Sequence, residues 1–519
     1  MHATALLLCC LVWPQFSLAA RILAVIPIPS YSHQIPYRAL WTALAKRGHQ
    51  VIVLTTDPVN DPNLNFTEID FHHNYEEFLS LDFSQAKYKS SWLEMYRAKF
   101  FDIGDRITEN IYKHPEVWKL YQSASDQSFD LVIAEVLLTP GIYALAHRFD
   151  APLIGVSSLG LQNSNYFQLG APVLPSHPSN WEVEERTGDN LSFYQRLCNF
   201  LAVWKHLYYF YNEYIPRQQI IAEKYLGTNI PHISDIAANI SLILMNQQEA
   251  ISFSRPLTSN VLSFGGFHVS QKLNPLPPDL AKFLDDSHDG FIYVSLGTNA
   301  RFELLPKILL RIFERTFAKL SVRVVWKCDV DIPNKPDNIY VSKWLPQQSI
   351  LAHPNIRLFV YQGGLQSTEE AVSYAVPLVG IPVLADQEHQ VKKMVELGVA
   401  KRVSLVEITF EALHEAIIDV LNDSRYKERM VNLSEFIKDK PYDTLSNAVW
   451  WSEFIIRHKG APHLRCSISN QPWYKRYDMD IVAFISILTF VTFLLSCLLI
   501  YKICVEGSHR KKHRKRKEN

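Results

Sequence analysis

The stretch FVYQGGLQSTEEAVSYAVPLVGIPVLADQ, Phe359 to Gln387, decides how this chain folds. Arg357 to Tyr361 reads as a strand, as the continuous apolar run Ile22 to Ile26 does near the start of the chain, where it suits a parallel strand covered on both faces. Gln362-Gly363-Gly364 closes the strand that ends at Tyr361, a helix begins near Leu365 to Ser367, and a further apolar run leads to a loop ending in Asp386-Gln387. Strand, glycine turn, helix, strand is a unit of an open α/β sheet, and such sheets hold ligands beyond the carboxyl ends of their strands. The glycines allow close backbone approach, and the helix N-terminus offers free N–H groups and partial positive charge. That combination suits a diphosphate. Gln366 and Ser367 add donors, Glu370 can accept from ribose hydroxyls, and Asp386 and Gln387 would meet a polyhydroxylated group. Upstream, WLPQ offers the flat face of Trp344 to a base and the amide of Gln347 to the same nucleoside. No GxGxxG or GxxxxGK[ST] occurs, so nicotinamide and P-loop readings are poor.

The alternation extends both ways. RILAVIPIPSYSHQIPYRALWTALAKRGHQVIVLTT reads as a strand from Ile22 to Ile26, a Pro-rich loop holding His33, a helix to Arg47 stopped by Gly48, and a strand from Val51 to Leu54. FDLVIAE, ending at Glu135, and APLIGVS repeat the pattern. Aromatic-rich helical segments run from Ser90 to Tyr121 and from Phe193 to Tyr225, and they could wall an apolar cavity. Gln271 to Gly290 is a linker by composition, after which a second strand–helix series begins. The expected organisation is a Rossmann-like domain at 21–270, the linker at 271–290 and a second Rossmann-like domain at 291–440, facing each other across a cleft. His49 and His353 read as turn or packing residues, and Asp130 as a strand start.

Both ends carry targeting signals. Residues 1–20 have the apolar centre and small residues of a secretory signal peptide. A helical segment at 441–480 leads to Ile481–Tyr501, which is uncharged and long enough to span a bilayer, and 502–519 is a basic tail. Basic residues stay cytosolic, which places the body in the lumen. Lys515 and Lys517 have the spacing of a dilysine endoplasmic-reticulum retrieval signal, although the same charges also serve to fix topology. The sequons Asn65, Asn190, Asn239, Asn422 and Asn432 are compatible with a lumenal body. The 52 basic and 52 acidic residues cancel, so nothing suggests a nucleic-acid surface. Neither a disulfide framework nor a zinc motif is legible in the seven cysteines.

With its spacing Gln-Gly-Gly-x-x-Ser-x-x-Glu, then Pro377, Pro382, Asp386 and Gln387, the chain resembles the membrane-bound animal UDP-glycosyltransferases, and an invertebrate-type member among them. The resemblance runs from SHQIP through WLPQ to WWSEFIIRHKGAPHLR and the anchored tail. It implies a GT-B fold with an α/β architecture and a C-terminal transmembrane helix. Carried over, Trp344 and Gln347 would hold uracil and ribose. Ser295, Gln362, Gly364, Gln366 and Ser367 would line the diphosphate, Glu370 the ribose, and Asp386 and Gln387 the donor sugar. His33 would be the catalytic base and Glu135 its acidic partner. Two departures stand out: Gln362 replaces a frequent His and cannot carry charge, and Glu135 replaces a shorter Asp.

The implied reaction is an inverting, metal-independent displacement that needs no cofactor beyond a UDP-sugar co-substrate. Glucose is the expected sugar, with glucuronate second. A hydroxyl of a small lipophilic acceptor would receive it, at the endoplasmic-reticulum membrane, in a single-pass protein with a lumenal body. A lipid-dedicated transferase of the sphingolipid type and a non-catalytic lumenal binder of nucleotide sugars are the alternatives.

Overall fold

Two parallel sheets organise the chain. In the computed structural model the described residues are 19–64, 66–79, 91–184, 187–188, 190–269, 272–298, 302–333 and 335–517. The leader read over residues 1–20 lies outside them as far as residue 18, as do Asn65 and the side chain of Lys515. The chain divides into one unit ending at Arg465 and a second from Cys466 onward.

The first sheet holds β1 (Arg21–Ile26), β2 (Gln50–Thr55), β3 (Phe66–Asp70), β4 (Leu131–Glu135), β5 (Leu153–Ser157), β6 (Leu242–Asn246) and β7 (Val261–Phe264), in the order β3-β2-β1-β4-β5-β6-β7. The second holds β8 (Phe291–Ser295), β9 (Arg323–Lys327), β10 (Ile339–Ser342), β11 (Ile356–Tyr361), β12 (Leu378–Gly380) and β13 (Ala400–Arg402), in the order β10-β9-β8-β11-β12-β13. Every pairing is parallel, which explains the unbroken apolar runs. Ile22, Ala24 and Ile26 pack on one face of the first sheet and Leu23 and Val25 on the other. The strand is buried from both sides.

Helix α1 (Tyr31–Lys46) joins β1 to β2 and starts earlier than the sequence suggests. His33 therefore sits in its first turn, not in a preceding loop. The helix continues through Pro36, which supplies no N–H, because Tyr37, Leu40, Trp41 and Leu44 bury a face against the sheet. The aromatic segments form helices including α2 (Phe101–Lys113), α3 (Phe193–Tyr209) and α4 (Ile215–Leu226), with π-helical turns at Tyr96–Phe100 and Phe210–Tyr214. Tight aromatic packing joins them, as where Phe101 stacks on Tyr214 at 4.3 Å between ring centroids.

The Pro-rich segment between the halves is not all irregular. It carries α5 (Pro278–Asp285), whose Leu280 and Leu284 are wholly buried in the second half's core. Pro278 opens this helix, where a missing N–H costs nothing. The second half contributes α6 (Leu365–Ser373) and α7 (Gln387–Glu396).

Near the end of the first unit, α8 (Thr444–His458) returns to the first half. Its Ala448, Val449 and Ile455 share a core with Tyr37 and Leu40, and its Glu453 accepts from Arg47 at 2.5 and 2.9 Å and lies 3.2 Å from His49. In the second unit, α9 (Met479–Lys517) includes a 34-residue stretch long and apolar enough to cross a membrane. A hydrocarbon core of about 30 Å needs only about 20 helical residues. Asn190, Asn239, Asn422 and Asn432 are all exposed.

Candidate active site

Each sheet reverses its winding once, between β1 and β4 in the first and between β8 and β11 in the second. Loops diverge at such a reversal and leave a crevice beyond the strand ends. The expected site residues fall at these two points. His33 follows β1 and Glu135 ends β4; Ser295 ends β8 and Gln362 follows β11.

At the first point His33 and Glu135 are 102 residues apart in sequence and meet at 2.6 Å, Nδ1 to Oε1. Glu135 is fully buried, and 13% of the His33 side chain is exposed. The Nδ1–H form of the ring donates to the carboxylate and leaves Nε2 as an acceptor. The extra methylene of Glu135 does not prevent the contact. Ser158, just beyond β5, is the third member: its Oγ lies 2.8 Å from His33 Nδ1 and donates to Glu135 Oε1 at 3.3 Å.

At the second point a cavity of about 550 Å³ opens between the halves, lined by His33, Tyr31 and Arg38 from the first. Ser295, Trp344, Gln347, Gln362, Gly364, Gln366, Ser367, Glu370, Asp386 and Gln387 line it from the second. All ten donor-site candidates thus share one cavity. Gly363 beside them has φ +90°, and a Cβ there would come within 2.6 Å of Val391 Cγ2 and 2.7 Å of Gln387 O. Glycine is required by both conformation and contact.

The polar groups are mutually arranged. Gln347 donates to Ser367 Oγ at 3.0 Å and to Glu370 Oε2 at 2.7 Å, while Gln348 donates to Glu370 Oε1 at 3.1 Å. Burial pushes the Glu370 carboxyl up to about 7, against the lowering effect of these two amides. Burial also raises Asp386 to about 6, opposed by its own backbone N–H and by the charge of His33. Gln387 turns its carbonyl onto Val383 N and Leu384 N, both at 2.9 Å, and so holds the loop that presents Asp386. Asp386 Oδ2 and Gln362 Oε1 are buried without a protein partner among the described residues. Such atoms are costly unless something polar meets them.

Two of these lining residues also have contacts that the sequence reading does not include. The Gln366 amide, expected at a diphosphate, donates to Ser158 O in the first half at 2.8 Å. The Trp344 ring is 59% exposed, but Tyr31 meets it edge-on at 5.6 Å and the Lys327 ammonium lies 4.7 Å from its centroid.

Lys327 itself was missed. It ends β9, donates to Gly297 O at 2.7 Å, and is lowered to about 8 by burial, partly offset by Asp329. Its place at a strand's carboxyl end was the available signal. His268 was also missed. It is buried between Glu369 and Glu370, 3.7 and 3.6 Å away, and burial lowers it to about 4.

The family model described as UDP-glucoronosyl and UDP-glucosyl transferase matches residues 21–512. UDP-glucosyltransferase 2 of Dactylopius coccus is 32% identical over 93% of this chain and 92% of its own length. An ecdysteroid UDP-glucosyltransferase of Spodoptera littoralis nuclear polyhedrosis virus is 29% identical over 93% and 97%. UDP-glucuronosyltransferase 2C1 of Oryctolagus cuniculus is 28% identical over 93% and 99%. Among solved structures, the glycosyltransferase VinC in complex with DTDP aligns with a TM-score of 0.56 at 15% identity, covering 84% of this chain and 100% of VinC. The calicheamicin glycosyltransferase CalG4 aligns at 0.53 and 18%, covering 84% and 98%. These structural likenesses bear on the fold, which is GT-B.

Proposed function

This chain belongs to the UDP-glucoronosyl and UDP-glucosyl transferase family, and we propose that it transfers glucose from UDP-glucose to a hydroxyl of a small lipophilic acceptor. The observation that carries this reading is the meeting of the two reversal points. The His33–Glu135 pair opens onto the same cavity as the ten donor-site candidates.

In the proposed reaction the acceptor hydroxyl donates to His33 Nε2. As its oxygen attacks the anomeric carbon, its proton passes to the ring, and Glu135 steadies the imidazolium through Nδ1–H. The bond from the anomeric carbon to the diphosphate oxygen breaks on the opposite face, which inverts the configuration. Charge develops on UDP. The N-terminus of α6, Ser295, Ser367, the Gln362 amide and the Lys327 ammonium are the groups assigned to it. Lys327 supplies the positive charge that Gln362 lacks. Trp344 and Gln347 take the uridine, Glu370 the ribose, and Asp386 with Gln387 the sugar hydroxyls. No step uses a metal or cofactor.

The glucosyltransferase names of the insect and viral relatives support glucose over glucuronate. We place the body in the endoplasmic-reticulum lumen, anchored by α9, with Lys515 and Lys517 as a retrieval signal. A panel of UDP-sugars offered to the full-length protein in microsomes, with a phenolic acceptor, tests the reading. UDP-glucose should release the most UDP, and only with acceptor present. Exclusive use of UDP-glucuronate would replace the sugar. UDP binding without acceptor-dependent release would make the protein a nucleotide-sugar binder.

A further inference from the structure

We propose that Ser158 is a positioning residue that ties the His33–Glu135 pair to the donor-binding helix α6, an inference that rests on the reading above. Ser158 is 1% exposed and follows β5, the strand beside β4. Both of its polar groups face the site, in opposite senses. The hydroxyl donates to Glu135 Oε1 and lies 2.8 Å from His33 Nδ1. The carbonyl accepts from Gln366 of α6 at 2.8 Å and from Asn246, which ends β6, at 3.3 Å. Asn246 in turn donates to Glu369 of α6 at 3.3 Å. One residue therefore touches the base, its carboxylate partner and, through two amides, the helix whose N-terminus faces the cavity.

The reason lies in Glu135. A glutamate has one more rotatable bond than an aspartate, so its carboxylate needs an additional tether to hold a fixed position. Its Oε2 is buried without a protein partner among the described residues, which leaves Oε1 as its anchored oxygen. The Ser158 hydroxyl and His33 Nδ1 meet that same oxygen. Ser158 thus fixes the rotamer that presents Nε2 to the cavity, and its carbonyl fixes where the pair stands relative to α6. Gln366, read from sequence as a diphosphate ligand, becomes part of this tie. Other ionisable groups facing the pair include Asp386 from the second half and the buried Tyr37 and Tyr143. None of them replaces the serine hydroxyl.

The test compares wild type, Ser158→Ala, Ser158→Thr and His33→Ala as full-length proteins, with UDP affinity as the check on folding. Displacing a reacting group by a fraction of an ångström is costly, so Ser158→Ala should lower kcat by roughly 10-fold while leaving UDP affinity unchanged. A carboxylate that has lost a donor holds the imidazolium more tightly, so the acid limb of the kcat–pH profile should move to higher pH. Ser158→Thr keeps the hydroxyl and should recover most of the turnover and the wild-type profile. Wild-type kcat and an unmoved profile in Ser158→Ala, with His33→Ala impaired, would overturn this inference alone. Wild-type turnover in His33→Ala would overturn the underlying reading as well.

Discussion

The two halves share a design and divide the work differently. In the second half, nine of the ten donor-site candidates come from residues 344–370 and 386–387, around β11, β12 and α6. In the first half, the proposed base is assembled from residues 33, 135 and 158, which only the strand order β1-β4-β5 makes neighbours. A binding surface can be written locally because one helix terminus supplies most of it. A proton-transfer pair needs two groups at a single distance, and here two adjacent strands set it. The account therefore predicts that changes in the first half alter turnover and changes in the second alter affinity.

The largest effect expected is on His33. General-base assistance is typically worth about 10²–10⁴-fold, so His33→Ala should lower kcat by that range with UDP affinity retained. Steady-state kinetics beside a UDP titration would check it, and a parallel loss of affinity would break the division. Glu135→Gln should cost less than His33→Ala, because an amide oxygen still accepts from Nδ1–H.

Gly363→Ala is the corresponding blow to the second half. A side chain at φ +90° against Val391 and the Gln387 carbonyl should destabilise the protein by about 2 kcal/mol, read as a lowered Tm, and weaken UDP binding.

The pH dependence sharpens the comparison. Burial raises Glu370 from the ordinary 4.5 to about 7. A carboxyl raised on folding contributes stability below its unfolded value that is lost as pH rises through the folded one. The ligand-free Tm should therefore fall between about pH 5 and pH 8. An ionised carboxylate accepts from ribose hydroxyls more strongly than the neutral acid does, so UDP affinity should rise roughly 10-fold over the same interval. Glu370→Gln should flatten both trends, and persistence of the affinity trend in that variant would remove Glu370 from the ribose.

The smallest effect is at Trp344. Losing its aromatic face should weaken UDP binding by about 1 kcal/mol, roughly five-fold, with little change in kcat. Normal affinity in folded Trp344→Ala would take the ring out of the site.

Much of this arrangement was legible in the sequence. Unbroken apolar runs identified strands buried on both faces, and the turn Gln362-Gly363-Gly364 located the helix terminus that faces the cavity. Residues whose role depends on a distant partner were not legible. Lys327, His268 and Ser158 look ordinary in sequence, and only sheet order and the packing of the halves bring them to the cavity or the pair. Gln366 was read by its local position at a helix start, yet its amide reaches a carbonyl 208 residues away. The linker reading missed α5 because composition registered the prolines and charges but not the burial of Leu280 and Leu284.

The most direct test of the central claim follows one reaction to its product. Full-length protein in detergent micelles is given UDP-glucose, whose sugar is α-linked, and a phenolic acceptor, while UDP release and the product's anomeric proton are recorded. The account predicts one UDP released for each glycoside formed, and a β-linked product, because the His33-activated hydroxyl attacks opposite the departing diphosphate. An α-linked product, or UDP release that does not depend on the acceptor, would contradict it.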